Sequence, residues 1–269
     1  MDNIQMSIIN RELKEKYSVN NNIDYQKVIN KIAYKLSLEE QKIILPVSKI
    51  NSNKIIIISD THFGSIYDNY NYLDTVYNYA INNNITDILH GGDLTQGTPK
   101  PVNKNCIDLC KQVKNVIDFY PYDKNIKNYI LLGNHDNNIY NNKNNILTMF
   151  DERKDLELLG IVKIYLNWYN YLISISHYIK NHNLDILRLE PLINFAGHRH
   201  DLKIKDNTLF LPTLSDDLKY YGNNENYPAF LHAEIIDNKL FIYKYDFINS
   251  KEVNKKLVLE KDTNERVRL

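Results

Sequence analysis

Between Lys54 and Leu132 the apolar positions switch between two patterns, short unbroken runs and helical stripes. Ile55 to Ile58 is a continuous β-branched run, the length of a strand buried on both faces. Asp68 to Asn84 reads as a helix with Leu73, Val76, Tyr77 and Ala80 along one side. Asp87 to Leu89 opens a second strand, Val102 to Tyr120 a second helix and Asn128 to Leu132 a third strand. A β-α-β-α-β succession predicts parallel strands joined by right-handed crossovers.

Beyond Gly160 the pattern changes to short strands joined by turns. Ile161 to Leu166 and Tyr171 to Ser176 flank Trp168-Tyr169-Asn170 as a hairpin, and Leu184 to Leu189 reads as a short helix ahead of Pro191. Strands are predicted at Ile193 to Ala196, Leu202 to Lys205, Thr208 to Leu211, Ala229 to Ile236 and Lys239 to Phe247, with turns at Asp206-Asn207 and Asp237-Asn238. A parallel first half and a largely antiparallel second half fit an α/β fold of two mixed sheets packed face to face, with helices outside. Residues 1 to about 50 read as short helices stopped by Pro46, which gives a helical N-terminal extension (1–50) and one larger domain (51–269).

Composition narrows the partners. The chain of 269 residues carries 33 basic and 33 acidic side chains, so no global field draws it to nucleic acid or to an anionic membrane. An anionic substrate must therefore be held locally. The two cysteines, Cys106 and Cys110, fall four apart in the second predicted helix, a poor geometry for a disulfide. With no apolar run of bilayer length and no secretion signal at the N-terminus, a soluble cytoplasmic protein without a membrane partner is expected.

Five small polar clusters follow apolar runs: Asp60-Thr61-His62, Gly91-Gly92-Asp93, Gly133-Asn134-His135-Asp136, Ser176-His177 and Gly197-His198-Arg199-His200. Each alone is compatible with an ordinary loop. Jointly, and leaving His135 and Asp136 aside, they set two carboxylates, an amide and four histidines where strands hand over to loops, the place where open α/β sheets build sites. Oxygen and imidazole donors without thiolate suit Mn, Fe, Zn or Ni.

In order and spacing these motifs resemble the calcineurin-like metallophosphoesterases, dinuclear enzymes with a four-layer αββα fold; the resemblance spans roughly Lys54 to Phe247. It implies that Asp60, His62 and His200 hold one divalent ion, that Asn134, His177 and His198 hold a second, and that Asp93 bridges them. Manganese is favoured. It further implies a water activated between the ions as nucleophile and His135 as the acid that protonates the leaving alkoxide. Protein phosphatases of the superfamily extend the Gly-Asp motif to Gly-Asp-x-x-Asp-Arg-Gly and end the next motif in Glu. This chain has Gln96 in place of the acidic partner of the catalytic histidine, no arginine at the matching place, and Asp136. That points to phosphodiesterase-like members acting on a small phosphoester or nucleotide, with a DNA or RNA nuclease as the alternative. A protein phosphatase or a non-catalytic binding scaffold fits less well.

Several residues carry two readings. Arg199 either forks onto a substrate phosphate or faces away from the ions as a strand residue. Lys100 and Lys104 either flank the mouth or sit in solvated loop. His182 is read chiefly as a surface histidine, and His90 and His232 as core residues. Asp216 and Asp217 fall in a polar turn and receive no role.

Overall fold

A computed structural model describes residues 46–98, 102–106, 108–136, 146–161, 163–177, 191–216, 227–249 and 252–263. The predicted helical segment up to residue 45, the short helix at Leu184 to Leu189, Lys100, His182 and Asp217 lie outside the described residues. Thirteen strands and two α-helices are described: β1 (Pro46–Ile50), β2 (Lys54–Ile58), α1 (Tyr70–Asn82), β3 (Asp87–His90), α2 (Leu109–Phe119), β4 (Lys127–Leu132), β5 (Leu156–Ile161), β6 (Lys163–Trp168), β7 (Tyr171–Ser176), β8 (Asn194–Ala196), β9 (Lys203–Lys205), β10 (Thr208–Phe210), β11 (Ala229–Ile236), β12 (Lys239–Asn249) and β13 (Glu252–Asp262). Lys104–Cys106 and Ile146–Glu152 are short 3-10 segments. No described helix is long and apolar enough to cross a membrane.

The strands form two mixed sheets, a seven-stranded one in the order β13-β12-β11-β2-β3-β4-β5 and a six-stranded one in the order β1-β6-β7-β8-β10-β9. The run β2, β3, β4, β5 is parallel, as the alternation of strands and helices predicts. Alternation within β2 explains its unbroken isoleucines: Ile56 and Ile58 join the helices' core with Val76, Ala80, Val113 and Val116, whereas Ile55 and Ile57 face the other sheet. The inter-sheet core takes Leu89 and Leu131 from one sheet and Ile164, Ile173, Ile175, Phe195 and Leu209 from the other. The architecture is thus the expected α/β sandwich of two mixed sheets, with both described α-helices on the seven-stranded sheet.

Three strands were not anticipated. β1 begins at Pro46, inside the stretch assigned to the extension, and pairs with β6 in parallel. β5 ends the parallel run, and only Val162 separates it from β6, so the chain passes from one sheet to the other there. β13 covers β12 as an edge strand. The second helix is also shorter than predicted: Cys106 sits in a 3-10 segment, Asp108 caps α2 by accepting from the Cys110 amide, and both cysteines are free thiols.

Candidate metal centre

The five clusters lie at the carboxyl ends of β2, β3, β4, β7 and β8, strands drawn from both sheets at one edge of the sandwich. Their backbone is unusual: Asp60, His62, Asp93, His198 and His200 all take positive φ, between 49° and 80°. A side chain there costs conformational energy that glycine would avoid, and such residues concentrate at functional sites. The bends are held by main-chain bonds between the loops, with the Asp60 amide donating to Gly92 O (2.9 Å), His62 to Asp93 O (3.1 Å) and Phe63 to Leu94 O (2.9 Å). Gly133 is required by close approach, because a Cβ there would collide with the Asp93 carboxylate.

The seven sequence-predicted ligands come together. His200 Nε2 lies 3.1 Å from Asp60 Oδ1 and 3.3 Å from His62 Nε2. His177 Nε2 lies 3.1 Å from both Asp93 Oδ2 and Asn134 Oδ1. Donor atoms of Asp60, His62 and His200 are near enough to hold a metal ion, as are those of Asp93, His177 and His198. A third grouping, His62, Asp93 and His135, places His135 within the same cluster. Asp60 and Asp93 are buried, and His177 is too.

Protonation defines the character of the cluster. His177 Nδ1 is 2.7 Å from the Gly91 carbonyl, an acceptor, so Nδ1 carries hydrogen and Nε2 points its remaining valence at two oxygens. Three electron-rich atoms meeting at about 3 Å call for a positive charge between them. With a proton there, burial would push His177 down, but Asp93 and Asp60 outweigh it and carry the imidazole up to about 9. Burial opposes the ionised form of both aspartates, yet His200, His177 and His62 hold Asp60 far below its usual range, and His177 and His62 bring Asp93 down to about 2. His62 is lowered by burial to about 4, and His198 is lowered by burial and by His177. A divalent ion answers the same need, and the oxygen and imidazole donors gathered here fit one.

His135 stands beside this cluster. Its amide donates to Asp93 Oδ1 (2.8 Å), its Nδ1 donates to the main-chain carbonyl of Gln96 (2.8 Å), and its Nε2 faces Asp93 Oδ2 at 4.0 Å. The neighbouring Asp136 does not orient it. The buried Asp136 carboxylate instead accepts from the amides of Gly133 (2.8 Å), Leu94 (3.0 Å) and Thr95 (2.8 Å) and from the Thr95 hydroxyl (2.7 Å), tying the Asn134 loop to the Asp93 loop. Burial and the Asp93 charge raise Asp136 to about 6. In the sequence Asp136 stands as one possible support for the orientation of His135, beside another residue or solvent; its tie between the two loops is a structural finding.

The remaining candidates fall where side-chain packing puts them. His90 is fully buried; its Nδ1 accepts from the Gly92 amide (3.2 Å) and its Nε2 meets the Thr61 hydroxyl (3.0 Å), so it supports the loops from behind. His232 is buried against Tyr79, away from the cluster. Asp216 accepts from Tyr72 (2.7 Å) and Asn69 (3.1 Å) at the start of α1. Lys104 is exposed. Arg199 lies in a bend rather than a strand, exposed, with its guanidinium 4.9 Å from the centre of the Phe210 ring. Strand alternation therefore does not govern its direction.

No curated protein matches the chain. Among solved structures it is similar to vacuolar protein sorting 29 from Cryptosporidium parvum (19% identity, TM-score 0.46, covering 78% of this chain and 97% of that one). It is also similar to an archaeal phosphodiesterase (16%, TM-score 0.41, 76% and 99%) and to YfcE, a phosphoesterase from E. coli (12%, TM-score 0.44, 78% and 100%). Residues 53–248 match the family model described as calcineurin-like phosphoesterase, and the chain belongs to that family.

Proposed function

We propose that the chain is a metal-dependent hydrolase of phosphodiesters. The observation that carries this reading is the meeting of His177 Nε2, Asp93 Oδ2 and Asn134 Oδ1 at 3.1 Å, three electron-rich atoms with a buried carboxylate among them. Asp60, His62 and His200 would hold one divalent ion, Asn134, His177 and His198 another, and Asp93 both. Manganese is the favoured occupant of this oxygen and imidazole set, with iron, zinc and nickel the other candidates. When bound, the ions supply Lewis acidity toward a phosphoryl oxygen and an acidified water.

The protein's own groups then have distinct tasks. Asp136 holds the Asn134 and Asp93 loops in register. The Gly91 carbonyl fixes the tautomer of His177, so that Nε2 is the atom offered to an ion. The Gln96 carbonyl likewise takes the Nδ1 hydrogen of His135, so a second proton, held by the imidazolium form, sits on Nε2 and faces the substrate. As the oxygen of water bonds to phosphorus and gives up a proton to solvent, the bond to the leaving alkoxide breaks and the His135 imidazolium delivers its Nε2 proton to that alkoxide; solvent then reprotonates His135, so one water is consumed in all.

The test is hydrolysis of bis(p-nitrophenyl) phosphate by the purified chain with each divalent metal in turn. Turnover that needs the metal and disappears in Asp93→Ala supports the reading. Absence of turnover with every metal, or undiminished turnover in the variant, sinks it.

A further inference from the structure

The chain that follows the last two candidate ligands carries a second kind of chemistry. Arg199 stands between His198 and His200, and its guanidinium rests over Phe210, a contact that limits the swing of a long side chain. Across the β9–β10 hairpin Phe210 pairs with Lys203 and Thr208 with Lys205. Leu209, between them, points into the inter-sheet core, so the pairing sets Phe210, Thr208, Lys203 and Lys205 together on the opposite, outward face.

Both lysines are exposed, and among the described residues neither they nor Arg199 has an acidic partner. Asp201 and Asp206 are the only acids in residues 199–206, which leaves the segment net basic. Asp201 has a partner of its own, and Asp206 occupies the hairpin turn at positive φ. Same-face residues two apart on a strand are separated by about 6.5–7 Å, comparable with the step between successive phosphates of an extended nucleic-acid strand. Lys203 and Lys205 thus follow one sheet edge, and Arg199 joins it at the Lys203 end by packing on Phe210, the cross-strand partner of Lys203. A substrate with a single phosphodiester would not reach beyond the first of these cations.

We propose that this edge is a track for single-stranded nucleic acid: Arg199, Lys203 and Lys205 meet successive backbone phosphates while one phosphodiester lies at the metal centre. The proposal rests on the hydrolase reading of that centre. Hydrolysis adds one water across the P–O bond, giving a terminal phosphomonoester on one fragment and a free hydroxyl on the other. The neutral total charge of the chain does not oppose such binding, because counterion release depends on the cations that touch the strand.

The experiment compares a single-stranded oligonucleotide with bis(p-nitrophenyl) phosphate, using the wild-type chain and the Lys203→Glu/Lys205→Glu variant, both folded by circular dichroism. For the oligonucleotide, KM should rise about tenfold or more with kcat little changed, and the slope of log KM against log salt should flatten by about 1.4, the share of two phosphate contacts on a single strand. Turnover of bis(p-nitrophenyl) phosphate should stay within about twofold, since it offers no distal phosphates. An unchanged oligonucleotide KM and salt slope in the variant would overturn the track. Wild-type protein that cleaves the small diester but not the oligonucleotide would also overturn it and leave the hydrolase reading standing. Failure on both substrates would remove the hydrolase reading first.

Discussion

His135 is oriented by the main-chain carbonyl of Gln96, which accepts from Nδ1 at 2.8 Å, and not by a carboxylate. The Gln96 side chain can thus change without removing the acceptor that sets the imidazole. Gln96→Ala is expected to lower kcat by less than about tenfold, whereas His135→Ala should lose about 10²–10⁴-fold on a substrate with a poor leaving group, the usual share of a proton donor. Metal content should stay at the wild-type value in both. Steady-state kinetics with a poor and a good leaving group, alongside metal analysis, separates the roles. If His135→Ala loses metal, the residue is a ligand, as its grouping with His62 and Asp93 would permit.

Gly133 packs its α-carbon against Asp93, and a methyl group there would overlap the Asp93 carboxylate, the Asp93 amide and the His177 ring. Overpacking of a tight interior usually costs about 1–3 kcal/mol. Here the atoms displaced are the ones offered to metal, so Gly133→Ala is expected to lose metal occupancy more than it loses fold. Metal analysis of the purified variant, with a urea melt followed through the buried Trp168, measures the two losses separately.

Much of this was legible in the residues. The runs at Ile55, Asp87 and Asn128 announced parallel strands, and the five polar clusters named all seven groups that the structure brings together. What stayed hidden was long-range or backbone in origin. β5 follows the charged run Asp151-Glu152-Arg153-Lys154-Asp155 and ends beside Gly160, so its apolar signal is short and its pairing with β4 is a tertiary fact. β13 brackets the short apolar run Leu257-Val258-Leu259 with Lys255-Lys256 and Glu260-Lys261-Asp262, which by pattern alone looks like solvated chain. The carbonyl that orients His135 carries no side-chain signature, and neither does positive φ at Asp60 or His198. Sequence patterns report the chemistry of side chains, while the aim of these side chains is set by main-chain turns.

His232 supplies a pH-dependent contribution outside the metal centre. Burial lowers it from 6.5 to about 4, helped by Lys54 and Lys255, and its Nδ1 meets the Tyr79 hydroxyl at 3.0 Å. The unfolded chain therefore binds a proton here between pH 6.5 and about 4 that the folded chain does not, so stability falls as pH drops through that window. The contribution is fully present above the unfolded value and lost toward the folded one, on the order of 2 kcal/mol. His232→Asn keeps an acceptor near Nδ1 and removes the titration. Its urea midpoint, measured against wild type at pH 7 and pH 4.5, should fall less on acidification; equal falls would exclude His232 as a source of acid sensitivity.

Metal removal should act on stability as well as on activity. An ion bound by Asp60, Asp93, His177 and their neighbours binds the folded chain alone, because these residues come from distant parts of the sequence and are brought together only by the two sheets. Such binding stabilises by an amount that grows with the ratio of free ion to Kd, about 2.7 kcal/mol when that ratio is 100. A chelator is expected to lower Tm by several degrees, and added manganese to restore it. In Asp93→Ala, which removes the carboxylate shared by both ions, the chelator and the metal should each leave Tm nearly unchanged. A full manganese-dependent rise in that variant would place the ions elsewhere and remove Asp93 from the centre of the site.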